Sequence, residues 1–378
     1  MIESTNAKSV VSFLAESLEL PDSSYEAATK RYRDLGDWLH DKSKSQCAQF
    51  APDVFPQGSF RLGTAIKPWK QEDYDLDLVC TLKSDITTAN YTQYRLKSLL
   101  GEDLNNYRKE RSIAEALEEK HRCWRLNYQD TLKFHMDTSP SIPHEASTFK
   151  ILKERMVKTG STEAFAQNVA QMALAITDNR HLHYRELCTD WKISNPEGYA
   201  IWFESRMHQA RELLESRAIM EKVASVDNLP VYRWKTPLQY AIQILKRHRD
   251  ITFEKDPDCK PISIIITTLA ARAYSGESDI QLALNNILYK MDSLVSELKP
   301  RIPNPVNPIE HFAEKWYTTE GLKLQLEKNF HLWLIRVKTD LEIVMSARDG
   351  NLLKEQAMLK FGVSIDERTI ASVKLTLL

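Results

Sequence analysis

A short run of alternating acidic and apolar residues constrains this chain more than any other stretch. Residues 73–78 read DYDLDL. Successive side chains of a β-strand point to opposite faces, so Asp73, Asp75 and Asp77 share one face while the residues between them enter the core. Like charges held so close repel one another, and a protein keeps such a row mainly where cations neutralise it. The run therefore predicts a strand, over residues 73–82, with a metal-binding face.

Two other interpretations of this run must be weighed. An isolated D-x-D pair is more often simply the solvated face of a strand. An EF-hand loop is excluded, because the sixth position counted from Asp73 is Leu78 rather than glycine and the twelfth is Ser84 rather than glutamate. A third carboxylate elsewhere in the chain decides between a solvated face and a metal site.

A second alternating run supplies that carboxylate. Residues 133–137 read KFHMD, which turns His135 and Asp137 away from the core. We expect the two strands to be antiparallel neighbours, which would bring Asp137 beside Asp75 and Asp77. Three carboxylates can hold two Mg²⁺ ions about 3.5–4 Å apart, an arrangement that activates an attacking hydroxyl and stabilises a leaving pyrophosphate. The pattern favours metal-dependent chemistry over a solvated face.

A Gly-Ser turn precedes the acidic strand. Gly58 and Ser59 leave backbone N–H groups and a hydroxyl free to bind phosphate oxygens. The residues that follow, 59–66, are predicted to form a strand. Together the turn and the carboxylates describe a site for a metal–nucleotide complex.

These motifs resemble the bacterial cGAS/DncV-like nucleotidyltransferases, a branch of the polymerase-beta-like superfamily. The resemblance rests on QGS at 57–59, YDLDL at 74–78 and HMDTSP at 135–140, and it extends over roughly residues 57–316. It implies an α+β fold in which a mixed-sheet lobe and a helical lobe enclose the active site in the cleft between them.

The resemblance also implies roles for single residues. Asp75, Asp77 and Asp137 would be the catalytic residues and would bind two Mg²⁺ ions, or Mn²⁺ in their place. Asp73 precedes the acidic pair of the family and would lie behind the metal ligands. The implied nucleotide-binding residues are Gln57, Gly58, Ser59, Lys246 and Ser263.

The last two of these residues lie in a helical second half. Thr236 is the predicted N-cap of a helix with Lys246 at the edge of its apolar stripe, and another helix begins near Ser263. A serine at a helix start offers a hydroxyl and free N–H groups to an anion, although taken alone Ser263 is more simply a cap. The segments 246–250 (KRHRD) and 260–263 (KPIS) resemble the part of the family's second lobe where a lysine and a serine contact the triphosphate.

Helical periodicity and the resemblance together divide the chain into three parts. Residues 1–45 are predicted to be N-terminal helices that bridge the lobes, residues 46–180 the nucleotidyltransferase lobe, and residues 181–378 a helical lobe of the oligoadenylate-synthase type. A further helix is expected from residue 89 towards 129, followed by a hairpin that turns at residues 129–130. The proline-rich stretch 299–308 is expected to be an extended connector, and residues 363–378 give no clear signal.

Three bulk properties of the sequence limit the classes of protein to which this chain can belong. The chain has 378 residues and a formal net charge of −1, which suits two lobes around one cleft and does not demand nucleic acid as a partner. Five scattered cysteines without a C-x-x-C pair indicate reduced thiols. The N-terminus is too polar for a signal peptide, and no stretch approaches the length of a membrane span. We expect a cytoplasmic protein.

Two remaining features have simple explanations. The basic residues Lys120, Arg122 and Arg125 fit the solvated face of a helix better than a nucleic-acid surface. The cluster at residues 181–188, with two histidines and a cysteine, lacks a fourth ligand at a useful spacing and favours packing and surface roles over a zinc site.

The resemblance favours an enzyme that joins nucleoside triphosphates, ATP among them, into a cyclic second messenger of anti-phage defence. We expect a ring that contains adenosine, with three nucleotides rather than two. A cyclic dinucleotide synthase, an enzyme that adds nucleotides to RNA or makes linear oligoadenylate, and an inactive scaffold are the alternatives. The expected partners are a regulatory protein such as a HORMA-type protein and a separate effector that reads the product. Base choice, linkage and oligomeric state stay open.

Overall fold

Seven strands form one mixed sheet in the first half of the chain. The computed structural model describes residues 9–70, 73–129, 134–220, 235–297, 301–347 and 349–372. The strands are β1 (Pro52–Pro56), β2 (Tyr74–Leu82), β3 (Glu118–Glu119), β4 (Trp124–Tyr128), β5 (Phe134–Pro143), β6 (Leu174–Ile176) and β7 (Lys192–Ser194). Their order is β1-β2-β5-β4-β3, and β6 pairs with the end of β5 and carries β7 on its other side.

Helices make up most of the remainder. They are α1 (Val10–Leu18), α2 (Asp22–His40), α3 (Gly58–Arg61), α4 (Gln93–Glu110), α5 (Ala146–Lys158), α6 (Glu163–Ala170), α7 (Pro196–Met220), α8 (Pro237–Thr252), α9 (Ser263–Ala273), α10 (Ile280–Glu297), α11 (Thr319–Lys323), α12 (Leu326–Met345), α13 (Gly350–Phe361) and α14 (Glu367–Ser372). A separate hairpin of β8 (Pro303–Asn304) and β9 (Asn307–His311) lies between α10 and α11. None of the described helices is long and apolar enough to cross a membrane. The architecture is the expected α+β class.

The two acidic strands are neighbours, as predicted, but their predicted antiparallel direction is wrong. β2 and β5 run parallel, with Asp77 directly opposite Asp137. A parallel pair needs a long crossover connection, and the chain between these strands supplies one through α4 and the β3–β4 hairpin. The alternation of side chains is unaffected, so Leu76 and Met136 are buried on one face while the carboxylates share the other.

Residues 59–66, predicted as a strand, do not form one. Gly58 has a φ of +63°, and the Leu62 N–H donates to the Gly58 carbonyl over 3.1 Å, which closes the helical turn α3. The place beside β2 is taken by β1, which pairs with it over Pro52 to Pro56. The residues after α3 leave the sheet and run along the second half of the molecule.

The long helix expected from residue 89 ends early. Thr92 caps its start through a hydrogen bond to the Arg95 N–H, and Ser112, with a φ of +54°, turns the chain away after Glu110. The hairpin predicted after it is confirmed, because β4 and β5 are antiparallel. Its turn, predicted at residues 129–130, lies partly outside the described residues.

The proline-rich stretch is not only an extended connector. Residues 303–304 and 307–311 pair as the β8–β9 hairpin, and the Val306 N–H donates to the Asn304 side-chain oxygen over 3.1 Å. An asparagine that accepts from the backbone two residues on closes a tight turn by itself, a feature that the spacing of prolines does not reveal. Residues 299 and 300 of the predicted segment lie outside the described residues.

Two large apolar cores hold the elements together. One lies between the sheet, α2 and α4, around Leu35, Leu78 and Leu100, and the other gathers α1 with the helices of the second half. Leu152 of α5 and Val169 of α6 belong to the second core although they precede residue 180, and β7 follows that residue but completes the sheet. The division of the chain at residues 45 and 180 therefore stays a proposal that separates the lobes only in outline.

Helix α8 joins the two halves through polar side chains. The predicted cap is confirmed: Thr236 and Gln239 form a capping box at its start. From the same helix, Gln239 Nε2 donates to the Leu62 carbonyl over 3.0 Å, and Gln243 Nε2 donates to the Ala65 carbonyl over 2.6 Å. These bonds satisfy buried carbonyls that have no sheet partner, and they fix the segment after α3 as one wall of the cleft.

Candidate active site

The sequence-predicted residues meet in a cleft between the sheet and helices α8 and α9. The cavity has a volume of about 680 Å³. Its lining includes Gly58, Ser59, Asp73, Asp75, Asp77, Lys246 and Ser263. Carboxylates line one side of this cavity, and a lysine and a serine line the other.

The acidic side is built by the pleat of β2. Asp75 is exposed and Asp77 is half-buried, while Leu76 and Leu78 between and beyond them are fully buried. Burial, together with the neighbouring carboxylates of Asp137 and Asp75, raises the pKa of Asp77 to about 7. The face therefore carries the mutual repulsion that the sequence predicted, which a cation would relieve.

Gly58 is placed so close to this face that a side chain at this position would displace the Asp77 carboxylate. Its φ of +63° lies in the left-handed region, and a Cβ there would lie 2.5 Å from Asp77 Oδ2. The Gln57 N–H donates to the Asp77 carbonyl over 2.8 Å, which ties the turn to the strand. The glycine thus keeps backbone and carboxylate in contact, where a phosphate and its counter-ion would have to meet.

Asp137 is bound by an arginine that the sequence analysis placed elsewhere. Arg125 donates from Nε to Asp137 Oδ1 over 2.6 Å and from Nη2 to Asp137 Oδ2 over 2.8 Å. The same Nη2 lies 3.7 Å from Asp75 Oδ1. These carboxylates raise the pKa of the guanidinium still further above its usual range.

His135 and Asp73 form a second row beside the acidic face. His135 Nε2 lies 2.8 Å from Asp73 Oδ2, and Nδ1 of the same ring lies 3.5 Å from Asp75 Oδ1. The imidazole thus links Asp73 to Asp75, and Asp73 also lines the main cavity.

The acidic residues fit a divalent metal by their chemistry, although they are not closed around one. Within the described ranges, no group of three or more histidine, cysteine, aspartate and glutamate side chains is arranged to hold a metal ion as it stands. Asp137 is turned to Arg125, whose guanidinium lies among the carboxylates as a cation would. Carboxylate oxygens are the hard ligands that Mg²⁺ and Mn²⁺ take, so Asp75, Asp77 and Asp137 could hold such ions once the arginine moves aside.

Lys246 faces the carboxylates from α8. It is buried, and its Nζ donates to the Thr64 carbonyl over 2.9 Å. Burial, together with the nearby positive charge of Arg249, lowers the pKa of Lys246 to about 7. An anion in the cleft would restore the charged form, so the side chain is suited to a phosphate.

Ser263 lies at the start of α9 but does not cap it. The N-cap residue is Ile262, and the Ser263 hydroxyl instead accepts a 2.7 Å hydrogen bond from Arg249 Nη1. Asp250 holds the other side of that guanidinium, 2.6 Å from Nη2, and Lys260 lies 3.4 Å from the same carboxylate. Because the hydroxyl oxygen accepts from arginine, its own hydrogen is left to donate into the cleft.

Most of the predicted residues are brought together, with two qualifications. Gln57 lines an adjoining cavity rather than the main one, and Asp137 lies behind Arg125. The analysis of the sequence did not identify Arg125, Arg249 or Lys260 as part of the site.

The signal for Arg125 was present in the sequence, because this residue comes shortly before the predicted hairpin turn at residues 129–130. Grouping it with Lys120 and Arg122 on a solvated helical face is wrong, since Arg125 lies on β4 directly opposite Asp137. On that strand it alternates with the buried Leu126 and the half-buried Trp124, a period of two rather than 3.6.

Comparison with known proteins agrees with this geometry. Residues 52–140 match the family model described as cyclic GMP-AMP synthase DncV-like, nucleotidyltransferase domain. A relative named c-di-GMP synthase, from Roseivirga ehrenbergii, is 29% identical over 372 residues, which cover 96% of this chain and 86% of the relative.

Two further proteins have a similar fold. The cyclic dinucleotide synthase CdnG of Bradyrhizobium diazoefficiens is 22% identical over 334 residues, covering 85% of this chain and 73% of CdnG. Its structure in complex with GTP has a TM-score of 0.64 at 18% identity and 96% coverage of both chains. CdnC of E. coli MS115-1, solved with a HORMA protein, has a TM-score of 0.58 at 12% identity, covering 94% of this chain and 97% of CdnC. Residues 52–140 thus carry a nucleotidyltransferase domain of the DncV-like type, and most of the chain is similar to bacterial cyclic dinucleotide synthases.

Proposed function

We propose that this protein is a Mg²⁺-dependent nucleotidyltransferase that joins nucleoside triphosphates into a cyclic oligonucleotide and releases pyrophosphate. The observation that carries the proposal is the two-sided cleft. Asp75 and Asp77 lie on one side with Asp137 in register behind them, and Lys246 and Ser263 face them from the other half of the molecule. Such a site holds a triphosphate between its metal-binding end and its cationic end.

Different residues of the chain would bind the two ends of the triphosphate. Gly58 and Ser59 offer a backbone N–H and a hydroxyl to phosphate oxygens, and Lys246 and Ser263 offer an ammonium and a hydroxyl at the far end. Asp137 is the carboxylate proposed to take the proton of the attacking hydroxyl. When that oxygen bonds to the α-phosphorus, the bond to the bridging oxygen breaks and pyrophosphate leaves. Bound Mg²⁺ would supply charge neutralisation for the developing negative charge.

For the product we propose a ring of two nucleotides in place of the expected ring of three. Both named relatives are cyclic dinucleotide synthases, at 29% and 22% identity over most of the chain. The preference for three rested on a loose similarity of residues 195–199 and 246–250 to other branches. An adenosine-containing trinucleotide remains the alternative that the experiment below must distinguish.

Anti-phage signalling is the setting we propose for the product. A neighbour of the same fold is solved with a HORMA protein, which supports a regulatory protein partner for this chain as well. The product would be read by a separate effector.

One experiment separates these possibilities. The purified full chain is incubated with Mg²⁺ and labelled ATP, GTP, CTP and UTP, singly and mixed, and the products are treated with phosphatase before mass spectrometry. A ring survives that treatment, whereas a linear oligomer with a 5′-triphosphate loses phosphates. A phosphatase-resistant dinucleotide supports the proposal. A resistant trinucleotide corrects the ring size, label incorporated into an added RNA primer supports the RNA-modifying alternative, and no product from any mixture supports the scaffold.

A further inference from the structure

A second cavity, which Asp77 lines and Lys246 does not, adjoins the main cleft. Its volume is about 300 Å³, and it shares Gly58, Leu62, Asp77 and Ile264 with the main cleft. We propose that this second cavity, the side cavity, binds the base of a nucleotide substrate and that Glu310 selects guanine there. The inference rests on the proposed function, since it names the base that the same active site uses.

The walls of the side cavity suit a flat heterocycle. Tyr199 and Phe312 both line it, with ring centroids 6.1 Å apart in an edge-to-face arrangement. Tyr199 is buried and its hydroxyl shares a 2.8 Å hydrogen bond with Thr268, so its polar end already has a partner. Aromatic walls bind every base through its π-face and do not by themselves distinguish one base from another.

Glu310 supplies a fixed polar group in this cavity. The side chain of Asn304, which is only 5% exposed, donates from Nδ2 to Glu310 Oε2 over 2.8 Å. The orientation of that amide is set because its oxygen accepts from the Val306 N–H over 3.1 Å. The described residues offer no hydrogen-bond partner to the second carboxylate oxygen, Oε1. The hairpin thus presents one free acceptor and one partly used acceptor to whatever enters the cavity.

Two other polar side chains that line the cavity are already engaged. Asn195 donates to the Val169 carbonyl and accepts from the Gly198 N–H. Arg61 is bound by two carboxylates, those of Glu197 and Glu204. The carboxylate of Glu310 is therefore the group on which we base the selection of the ligand.

The chemistry of that carboxylate favours one base. An ionised glutamate can only accept hydrogen bonds, so it pairs with an edge that carries adjacent donors. Guanine has such an edge, because its N1–H lies next to its N2 amino group. In adenine and cytosine the amino group lies next to a ring nitrogen with a lone pair, and in uracil the single N–H lies between two carbonyl oxygens. A carboxylate facing these edges meets a lone pair, which weakens binding.

The test compares nucleotide binding and product composition for wild type and Glu310→Gln. GTP and ATP affinities are measured by calorimetry with Ca²⁺ in place of Mg²⁺, and the bases of the product are counted after incubation with an equimolar mixture of four nucleotides. We expect wild type to prefer GTP, and Glu310→Gln to lose about 10- to 100-fold in GTP affinity with little change for ATP. The matched control is Glu314→Gln, a substitution at an exposed glutamate outside the cavity lining.

Several outcomes overturn the inference. It is overturned if wild type binds ATP as well as GTP, or if Glu310→Gln keeps the wild-type ratio of the two affinities. If Glu310→Gln does not fold by circular dichroism, Glu310→Asp replaces it, and that variant must keep the preference for GTP. A wild-type protein that binds GTP selectively but makes no product contradicts the proposed function and leaves the base selection supported. A product without guanine contradicts the base selection alone.

Discussion

Arg125 holds Asp137 through two parallel hydrogen bonds of 2.6 and 2.8 Å, one from Nε and one from Nη2. Bidentate pairs between arginine and a carboxylate are among the stronger ion pairs in proteins. This pair neutralises a carboxylate that would otherwise face Asp77 uncompensated. Metal ions that use Asp137 must therefore displace the protein's own cation.

Replacing Arg125 by methionine should strengthen metal binding and weaken the metal-free fold. The substitution removes the charge and keeps an apolar stem, so Asp137 becomes free for Mn²⁺ but repels its neighbours when no ion is present. Both side chains of the pair are about one-fifth exposed, so we expect a loss of about 1–2 kcal/mol in unfolding free energy in chelator. Mn²⁺ affinity by electron paramagnetic resonance, and thermal unfolding with and without metal, measure the two effects.

A matched control for this prediction is Arg122→Met on the same hairpin. Arg122 pairs with Asp178 at 2.9 Å and does not line the cleft. The substitution Arg122→Met should therefore lower stability without changing the affinity for Mn²⁺. Unchanged Mn²⁺ affinity in Arg125→Met would show that the arginine does not compete with metal.

Replacing Asp75 and Asp77 by asparagine should abolish synthesis and leave the fold intact. The double variant withdraws charge from the metal site, which costs several kcal/mol of transition-state stabilisation, while the buried Leu76 and Leu78 keep the strand in place.

The pH dependence of stability gives a second readout at Asp77. Its pKa is raised from the ordinary value to about 7 in the folded protein, so the folded state binds more protons and loses stability as pH rises towards 7. In chelator at pH 8, Asp77→Asn should therefore melt no lower than wild type. If the variant with both Asp75 and Asp77 replaced by asparagine keeps wild-type turnover, these two residues are not part of the active site.

Nucleotide binding should take up a proton at Lys246. Its pKa is lowered to about 7, mainly by burial, so at pH 8 the free protein holds this lysine largely neutral. A triphosphate beside it favours the ammonium, and binding then draws up to about one proton from the buffer. Calorimetry of nucleotide binding in two buffers with different ionisation enthalpies measures this uptake.

The control for this uptake is Lys246→Arg, because a guanidinium stays protonated throughout and should abolish the buffer dependence. Lys246→Ala should in addition raise the apparent KM for nucleotide more than it lowers kcat, since the charge acts on bound substrate and transition state alike. Equal binding enthalpies in both buffers for the wild-type protein would contradict the prediction.

Arg249 should act through the Ser263 hydroxyl. The 2.7 Å bond from its guanidinium sets the direction of that hydroxyl, so Arg249→Met and Ser263→Ala should each raise KM by about tenfold with a smaller change in kcat. A double-mutant cycle tests the link, because two residues acting through one contact give an effect smaller than the sum. Strict additivity would mean that Arg249 contacts nucleotide independently.

Local alternation of side chains was enough to predict which residues share the face of a strand. It was not enough to predict the direction in which two strands pair or the contacts of charged side chains. The side-chain periods of β2 and β5 predicted which carboxylates share a face, and the structure agrees because burial of Leu76 and Met136 enforces that pattern. The parallel direction of the two strands could not be predicted, because alternation is the same in both directions. The turn at Gly58 was expected as a phosphate site, but its continuation as helix α3 depends on β1 taking the place beside β2.

The contact partners of charged residues also could not be predicted from the sequence. The sequence placed Arg125 next to a predicted hairpin turn and Arg249 in the segment 246–250, but it gave neither residue a partner. Their roles follow from contacts with Asp137 and Ser263, at sequence separations of 12 and 14 residues. A hydrophobic pattern carries no information about which carboxylate or hydroxyl a guanidinium will meet.

The break between α1 and α2 limits how far the cleft can open. Helix α1 belongs to the core of the second half and α2 to the core of the sheet, yet only residues 19–21 connect them. Three residues span at most about 10 Å when fully extended, and Glu19 is also bound by Lys235 and Gln243. The N-terminal helices thus act as a short tether between the two cores. The two halves can therefore separate only slightly when substrate enters and product leaves. Such a narrow opening would help the cleft to retain a linear intermediate until the ring is closed.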